Sequence, residues 1–232
     1  MISILMLARV EHDVIRSMTR KAIQSVYTNT HGDTPQIVLV RNGALDLGIR
    51  EDEFPGRKLT IINSPEHMSL SVAYNAAYRV SYGDPICVLH NDVEVPPGWN
   101  EPLEKVAGMG HIAFPMVNER DSMCDRRGIL PTQPWQTTGA CFMMSKASWE
   151  KLCGYDEGFV GYHWEDTELF YRAIHKGMRL IRVKTEIVHH RGATRSFTRN
   201  EEDPCYSMNE KYFIKKHGGK YIPSISDTPQ EV

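Results

Sequence analysis

Three short stretches hold side chains whose types and spacing fit a chemical task. In "ICVLHNDVEVPPGW" an apolar run stops at His90-Asn91-Asp92, and Glu94 follows just before a Pro-Pro-Gly turn. Hard divalent cations such as Mg2+ and Mn2+ take oxygen ligands, commonly one or two carboxylates plus substrate phosphates. Residues two apart on an extended segment face the same side, so Asp92 can share an ion with Glu94 or with His90. A plain turn, in which Asp92 bonds nearby backbone amides, accounts for the same residues without a metal. In "GYHWEDTEL" the pair Glu165-Asp166 opens a helix, where free N–H groups and the macrodipole favour carboxylates. Tyr162, His163 and Trp164 stand just ahead of it, large side chains with polar handles that suit a wall stacking on a sugar ring. In "EIVHHRGATRS" His189 and His190 end an apolar strand, and Mn2+ accepts a neutral imidazole among oxygen ligands.

Such groups need a scaffold, and the chain alternates short β-rich runs with helical patterns. Strands are expected at Ile2 to Leu7, Gln36 to Val40, Lys58 to Ile62 and in "PICVLH". Between them, "DVIRSMTRKAIQSVY" carries apolar residues at helical spacing, and "SLSVAYNAAYRVSYG" reads as a helix with Gly83 just past its end. Near-continuous apolar strands separated by helices predict a largely parallel, buried sheet. In open sheets of that kind ligands gather beyond the carboxyl ends of the strands, where Asp92 and Asn42 both fall. The second half predicts strands in "HIAFPMV" and "TTGACFMMS", a short helix in "ASWEKLCG", a helix in "HWEDTELFYRAIHKG" closed by Gly177, and separate strands "RLIRV" and "EIVHH". A long polar loop runs from Asn118 to Gln136, with Arg126 and Arg127 able to reach a phosphate or simply to face solvent. One further helix, "YSMNEKYFIKKHGG", lies in the C-terminal tail.

The whole chain narrows the classes. Its 232 residues are 41% hydrophobic and suit one α/β domain. A formal net charge of -2 provides no global basic field of the kind a non-specific nucleic-acid binder uses. No window approaches the eighteen or so apolar residues of a membrane span. "MISILMLARVEHD" reads as a first strand rather than a signal peptide. Five cysteines without CxxC spacing argue against a disulfide framework and a zinc ribbon, and a cytoplasmic location is expected.

Taken in order, "LHNDVEVPPGW", "TTGACFMMSKASWEKLCGYDEGFVGYHWEDTELFYRAIHKG" and "IVHHRGAT" resemble the family 2 glycosyltransferases of the GT-A fold. The resemblance runs from about Ile2 to Thr194, and its most specific part is the middle block. It implies a nucleotide-sugar donor, a divalent metal (Mn2+ or Mg2+) and inversion at the anomeric carbon. On the family's pattern Asp92 is the last acidic residue of the DXD-type motif and binds the metal, with His189 completing the site and Glu94 as a further ligand. His190 is the alternative to His189, and His90 the alternative partner of Asp92. Asp166 matches the general base, with Glu165 beside it. Ala8, Asn42, Asn75, Asn91 and Asp92 fall on the donor side, and Trp164, Gly139 and Ala140 on the acceptor side. The chain departs from the pattern at His90, where many members have Asp, and at Arg41-Asn42, where the family often has an aspartate that reads the nucleobase.

The resulting expectation is a single GT-A-like domain over 1-232, a largely parallel mixed sheet flanked by helices. Residues 1-100 form the donor half, 101-194 the acceptor and catalytic half, and 195-232 a C-terminal helix and tail. The function expected is metal-dependent transfer from a UDP-sugar to an acceptor hydroxyl on a glycan, a lipid-linked sugar, a protein or a modified DNA base. Two rivals remain at this level: a non-catalytic sugar- or nucleotide-binding module, and a metal-dependent nucleotidyltransferase, which the lack of a Gly-rich phosphate loop weakens.

Overall fold

The computed structural model describes residues 1–9, 13–43, 48–121, 129–130, 139–191 and 204–219. Its first four long strands, β1 (Ser3–Ala8), β2 (Gln36–Asn42), β3 (Lys58–Ser64) and β4 (Ile86–Leu89), lie parallel in the order β3-β2-β1-β4. Their alternate residues face opposite layers. Ile4, Met6 and Ala8 pack with Ala22, Ile23 and Val26 of α1 (Asp13–Asn29), whereas Leu5, Val38 and Val88 pack with Ala73, Tyr74 and Ala77 of α2 (Leu70–Arg79). Helices therefore cover both faces, which is why these strands read as apolar runs.

α2 stops at Arg79, short of the predicted end at Gly83. The chain there is drawn onto the sheet edge instead: the Gln36 side chain accepts from the Tyr82 N–H at 3.0 Å, and the Ser3 hydroxyl accepts from the Gly83 N–H at 2.8 Å. A Cβ on Gly83 would lie 2.7 Å from the Met1 carbonyl, so this glycine serves a close backbone approach rather than a helix cap.

The second half extends the same sheet. β8 (Cys141–Met144) runs antiparallel to β4 and to β6 (Ile112–Asp121). β9 (Leu180–Arg191) lies parallel to β6, and the short β5 (Val93–Glu94) pairs antiparallel with β9 at the sheet edge. β7 (Ile129–Leu130) pairs with β6. α3 (Asn100–Gly108) joins the α1 layer, while α4 (Lys146–Leu152) and α5 (Glu165–His175) join the α2 layer. α6 (Pro204–His217) packs Phe213 against Phe159 and Trp164.

Two expectations are corrected here. The separate strands "RLIRV" and "EIVHH" are one strand, β9, and the polar Lys184-Thr185 between them is a bulge. The β6–β9 register jumps from Phe114↔Arg182 to Met116↔Glu186. Pro115, which has no N–H to give the ladder, sits opposite the bulge. The expected polar loop begins later than Asn118, because β6 continues to Asp121 and keeps its pairing with β9. Arg126 and Arg127 lie outside the described residues, as do Arg195, Arg199 and Lys220 of the tail. Among the described residues no helix is long and apolar enough to cross a membrane.

Candidate functional site

The strand-end residues meet as the topology directs. β4 ends at Leu89, and the His90 N–H is held by the Ala140 carbonyl at 2.8 Å just before β8. The Asn91 amide donates to the Thr19 hydroxyl of α1 at 2.9 Å, which fixes the turn. The Asp92 carbonyl accepts from the His190 N–H at 2.9 Å, so β9 is locked beside that turn. This register brings His189 inward. One donor atom each from His90, Asp92 and His189 falls within 4.8 Å of the others. His189 Nε2 stands 3.3 Å from Asp92 Oδ1, and the two imidazole rings meet edge to face at 5.7 Å.

Asp92 is 2% exposed. Burial alone pushes its carboxyl up, but the His189 imidazole, its hydrogen bond and then the His90 imidazole outweigh that, and the group stays ionised below its ordinary range. Two imidazoles and one buried carboxylate suit a borderline divalent ion such as Mn2+, with coordination positions left for a substrate. The donor set therefore fits the metal, and of the two expected partners of Asp92 it is His90 that converges with it and His189. Glu94 does not join. Asp92 lies in the turn between β4 and β5, so the two-residue alternation linking it to Glu94 is broken, and Glu94 Oε1 pairs with His190 Nε2 at 2.8 Å.

The acidic pair is built differently. His163 and Trp164 precede α5 in left-handed backbone, at φ 82° and 72°. Such conformations persist only where surroundings enforce them. Here Asn209 of α6 does so: its side chain, 1% exposed, donates to the carbonyls of Val160, Tyr162 and His163 at 2.8, 3.2 and 2.9 Å and accepts from the Val160 N–H at 3.0 Å. α6 is held in turn by Lys216, 2.7 Å from both Asp156 and the fully buried Glu168, which also receives Arg172 at 2.8 Å.

The Asp166 carboxyl accepts from the Tyr155 hydroxyl at 2.5 Å. Burial pushes its pKa up to about 6, with the Tyr155 hydrogen bond opposing the rise. Glu165 is driven well above the usual carboxylate range, by burial first and the Asp166 charge second. Its Oε2 is buried without a hydrogen-bond partner among the described residues. Both carboxyls are thus held above the ordinary carboxylate range. The Tyr74 phenol of α2 is pushed up by burial first and then by the charges of Asp166, Glu165 and Asp92.

Several expected site residues have other work. Both amide atoms of Asn42 are engaged by Met68, donating to its carbonyl at 2.8 Å and accepting from its N–H at 2.7 Å. Asn75 holds the backbone of Tyr155 and donates to Glu157 at 2.9 Å. Trp164 is 8% exposed, with Phe213 and Tyr206 of α6 against its ring at 5.3 and 5.8 Å, so its face is taken by protein rather than open to a sugar. Ala8 and Ala140 are buried and contribute backbone at strand ends. Gly139 lies directly under Asp166. The sequence reading missed Tyr155 and Asn209 as functional positions. Tyr155 sits inside the "CGYDEGF" run already singled out, whereas nothing local marks Asn209.

Residues 129–194 match the family described as the N-terminal domain of galactosyltransferase. No curated protein matches the chain in sequence. Among solved structures, GalNAc-T7 with UDP, GalNAc and Mn2+ superposes with a TM-score of 0.66 at 17% identity, over 81% of this chain and 43% of that one. The mannosyltransferase PcManGT from Pyrobaculum calidifontis, in complex with GDP-Man and Mn2+, gives 0.65 at 13% identity, over 96% and 65%. Residues 1-349 of S. aureus TarS give 0.57 at 8% identity, over 83% and 58%. The chain spans less than two thirds of each. In fold it is an α/β domain with a mixed sheet flanked by helices, of the GT-A glycosyltransferase kind.

Proposed function

We propose that this chain is a metal-dependent, inverting glycosyltransferase that moves a sugar from a nucleotide-sugar donor, a UDP-sugar foremost, to an acceptor hydroxyl. One observation carries the reading. His90, Asp92 and His189 each bring one donor atom to within 4.8 Å of the others at the strand ends, with Asp92 and His189 buried. The galactosyltransferase match over 129–194, which includes the acidic pair and His189, supports it independently.

His90, Asp92 and His189 would hold the divalent ion, whose chemistry is to offset the charge of a leaving diphosphate. Asp166 takes the proton from the acceptor hydroxyl as its oxygen bonds to the anomeric carbon, a contribution of about 10²–10⁴-fold. Near neutral pH it is largely ionised and still a competent base. Glu165, whose carboxyl burial and then the Asp166 charge push well above the usual carboxylate range, lies beside it. Attack comes from the face opposite the leaving diphosphate, so the anomeric configuration inverts.

The test is release of the nucleotide, a nucleoside diphosphate from UDP-, GDP- and dTDP-sugars and CMP from CMP-sugars, with Mn2+, with EDTA, and with Asp92→Ala or Asp166→Asn. Release from one donor that is lost with EDTA and in both variants is the expected result. Release that survives EDTA would remove the metal from the mechanism. Donor binding without turnover, unaffected by Asp166→Asn, would instead describe a binding module.

A further inference from the structure

Both oxygens of the Asp166 carboxylate are placed by residues outside α5. Oδ1 accepts from the Tyr155 hydroxyl at 2.5 Å. Oδ2 lies 1.8 Å from the point a Cβ on Gly139 would occupy, so the carboxylate rests against bare backbone. Tyr155 is itself tightly held. Its ring is 2% exposed, stacks on Tyr74 at 5.5 Å and meets Trp149 edge-on at 5.7 Å. The Asn75 amide clamps its main chain, accepting from the Tyr155 N–H at 3.0 Å and donating to its carbonyl at 2.9 Å. Gly154, at φ 66°, allows this approach, since a Cβ there would stand 2.5 Å from Asn75 Oδ1. A line of fixed contacts therefore runs from α2 through Asn75 and Tyr155 to one oxygen of Asp166.

We propose that Tyr155 and Gly139 are positioning residues for Asp166: the phenol pins Oδ1, the absent side chain at 139 leaves room for Oδ2, and Oδ2 receives the acceptor proton. The proposal rests on the reading of Asp166 as the base. In the step the acceptor O–H bond breaks and its proton passes to Oδ2. The acceptor oxygen bonds to the anomeric carbon, and the nucleoside diphosphate leaves with the electron pair of the broken C–O bond. A carboxylate free to rotate would offer either oxygen at varying angles, and a misplacement of about 1 Å at a reacting group lowers rate by about 100-fold. The phenol also favours the ionised form, because it donates to the charge. The titratable groups facing Asp166 are Tyr155, Glu165 on its own helix and Tyr74 on α2.

The test reads the carboxylate directly and needs no acceptor. In protein labelled with 13C at aspartate carboxyls, Asp166→Asn identifies the resonance of Asp166, which is then titrated in the wild type and in Tyr155→Phe. The midpoint is expected to rise by about one unit in Tyr155→Phe. An unchanged midpoint overturns the phenol's role. Gly139→Ala is expected to lower donor turnover at least about tenfold while Mn2+ binding, measured with the metal alone, stays unchanged. Turnover preserved in Gly139→Ala overturns the role of Oδ2. If Asp166→Asn keeps full turnover while Tyr155→Phe shifts the midpoint, the functional reading fails and the phenol contact stands.

Discussion

The strand-end cluster and the acidic pair are held by two kinds of force. His189 lies on β9, and His90 and Asp92 lie in the short turn between β4 and β5; the positions of these strands follow from ladders of backbone hydrogen bonds and from an apolar core on both faces of the sheet. Glu165 and Asp166 open α5 at the end of a loop whose shape depends on single side chains from other elements: Asn209, Asn75 and Tyr155. Sheet register is shared over many bonds and tolerates the loss of one. The loop has no such reserve, so its geometry is precise but depends on few residues.

The largest contrast is expected at Asp166, where function and stability oppose each other. Asp166→Asn should lower turnover by about 10²–10⁴-fold, since the proton acceptor is gone. It should also stabilise the fold above pH 6. The carboxyl is raised from 3.8 to about 6, so between those values the folded protein keeps a proton that the unfolded chain has released. The stability this provides is present below 3.8 and lost as pH rises through about 6. Asparagine removes the loss, a gain on the order of 2 kcal/mol near pH 7.5 that fades towards pH 4. Urea melts of both proteins at the two pH values check it, and a gain independent of pH would show that Asp166 is not held in a costly state. The Asp92 carboxyl, which the imidazoles keep below its usual range, has the opposite sign: its contribution is present above the ordinary carboxylate range and lost on acidification.

Asn209→Ala is next. It removes one side chain's hydrogen bonds to three carbonyls and one N–H of the Val160 to His163 turn, a cost of about 1–3 kcal/mol. Thr19→Ala, on the strand-end side, leaves the Asn91 amide without its partner and should cost about 1 kcal/mol. Thermal melts with Mn2+ titrations separate the two regions: Asn209→Ala should lower turnover and leave Mn2+ affinity as it was. Equal losses from both variants would mean that the loop is no more dependent on single contacts than the sheet.

The same difference sets how much was legible in the sequence. β1 to β4 were readable because buried parallel strands leave continuous apolar runs between helical patterns, and the end of β4 pointed to Asp92. Where contacts come from far along the chain, local pattern misled. Trp164 looked like an open platform because the residues covering it, Tyr206 and Phe213, belong to α6. β9 looked like two strands because a bulge resembles a chain break, a distinction that only its partner β6 supplies. Asn42 and Asn75 matched donor-side positions by type and place, yet their amides close loops. An amide serves either use equally well, and sequence does not record its partner.

The smallest effect bears on the border of the strand-end cluster. Glu94 is 40% exposed and its partner His190 21%, so this pair is well solvated. Glu94→Gln should change stability by less than about 1 kcal/mol, because exposed ion pairs gain little over their hydrated parts. It should also leave Mn2+ affinity unchanged, since the Glu94 carboxylate is engaged with His190 rather than with the atoms that converge on Asp92. His90→Ala, by contrast, removes a converging atom and should weaken Mn2+ binding by more than the roughly tenfold that even an outer contact commands. Titration of both variants with Mn2+ decides between the two triplets. If Glu94→Gln lost affinity and His90→Ala did not, β5 would have to turn its carboxylate inward on metal binding. The strand-end half would then be as dependent on a single side-chain rearrangement as the loop that leads to Asp166.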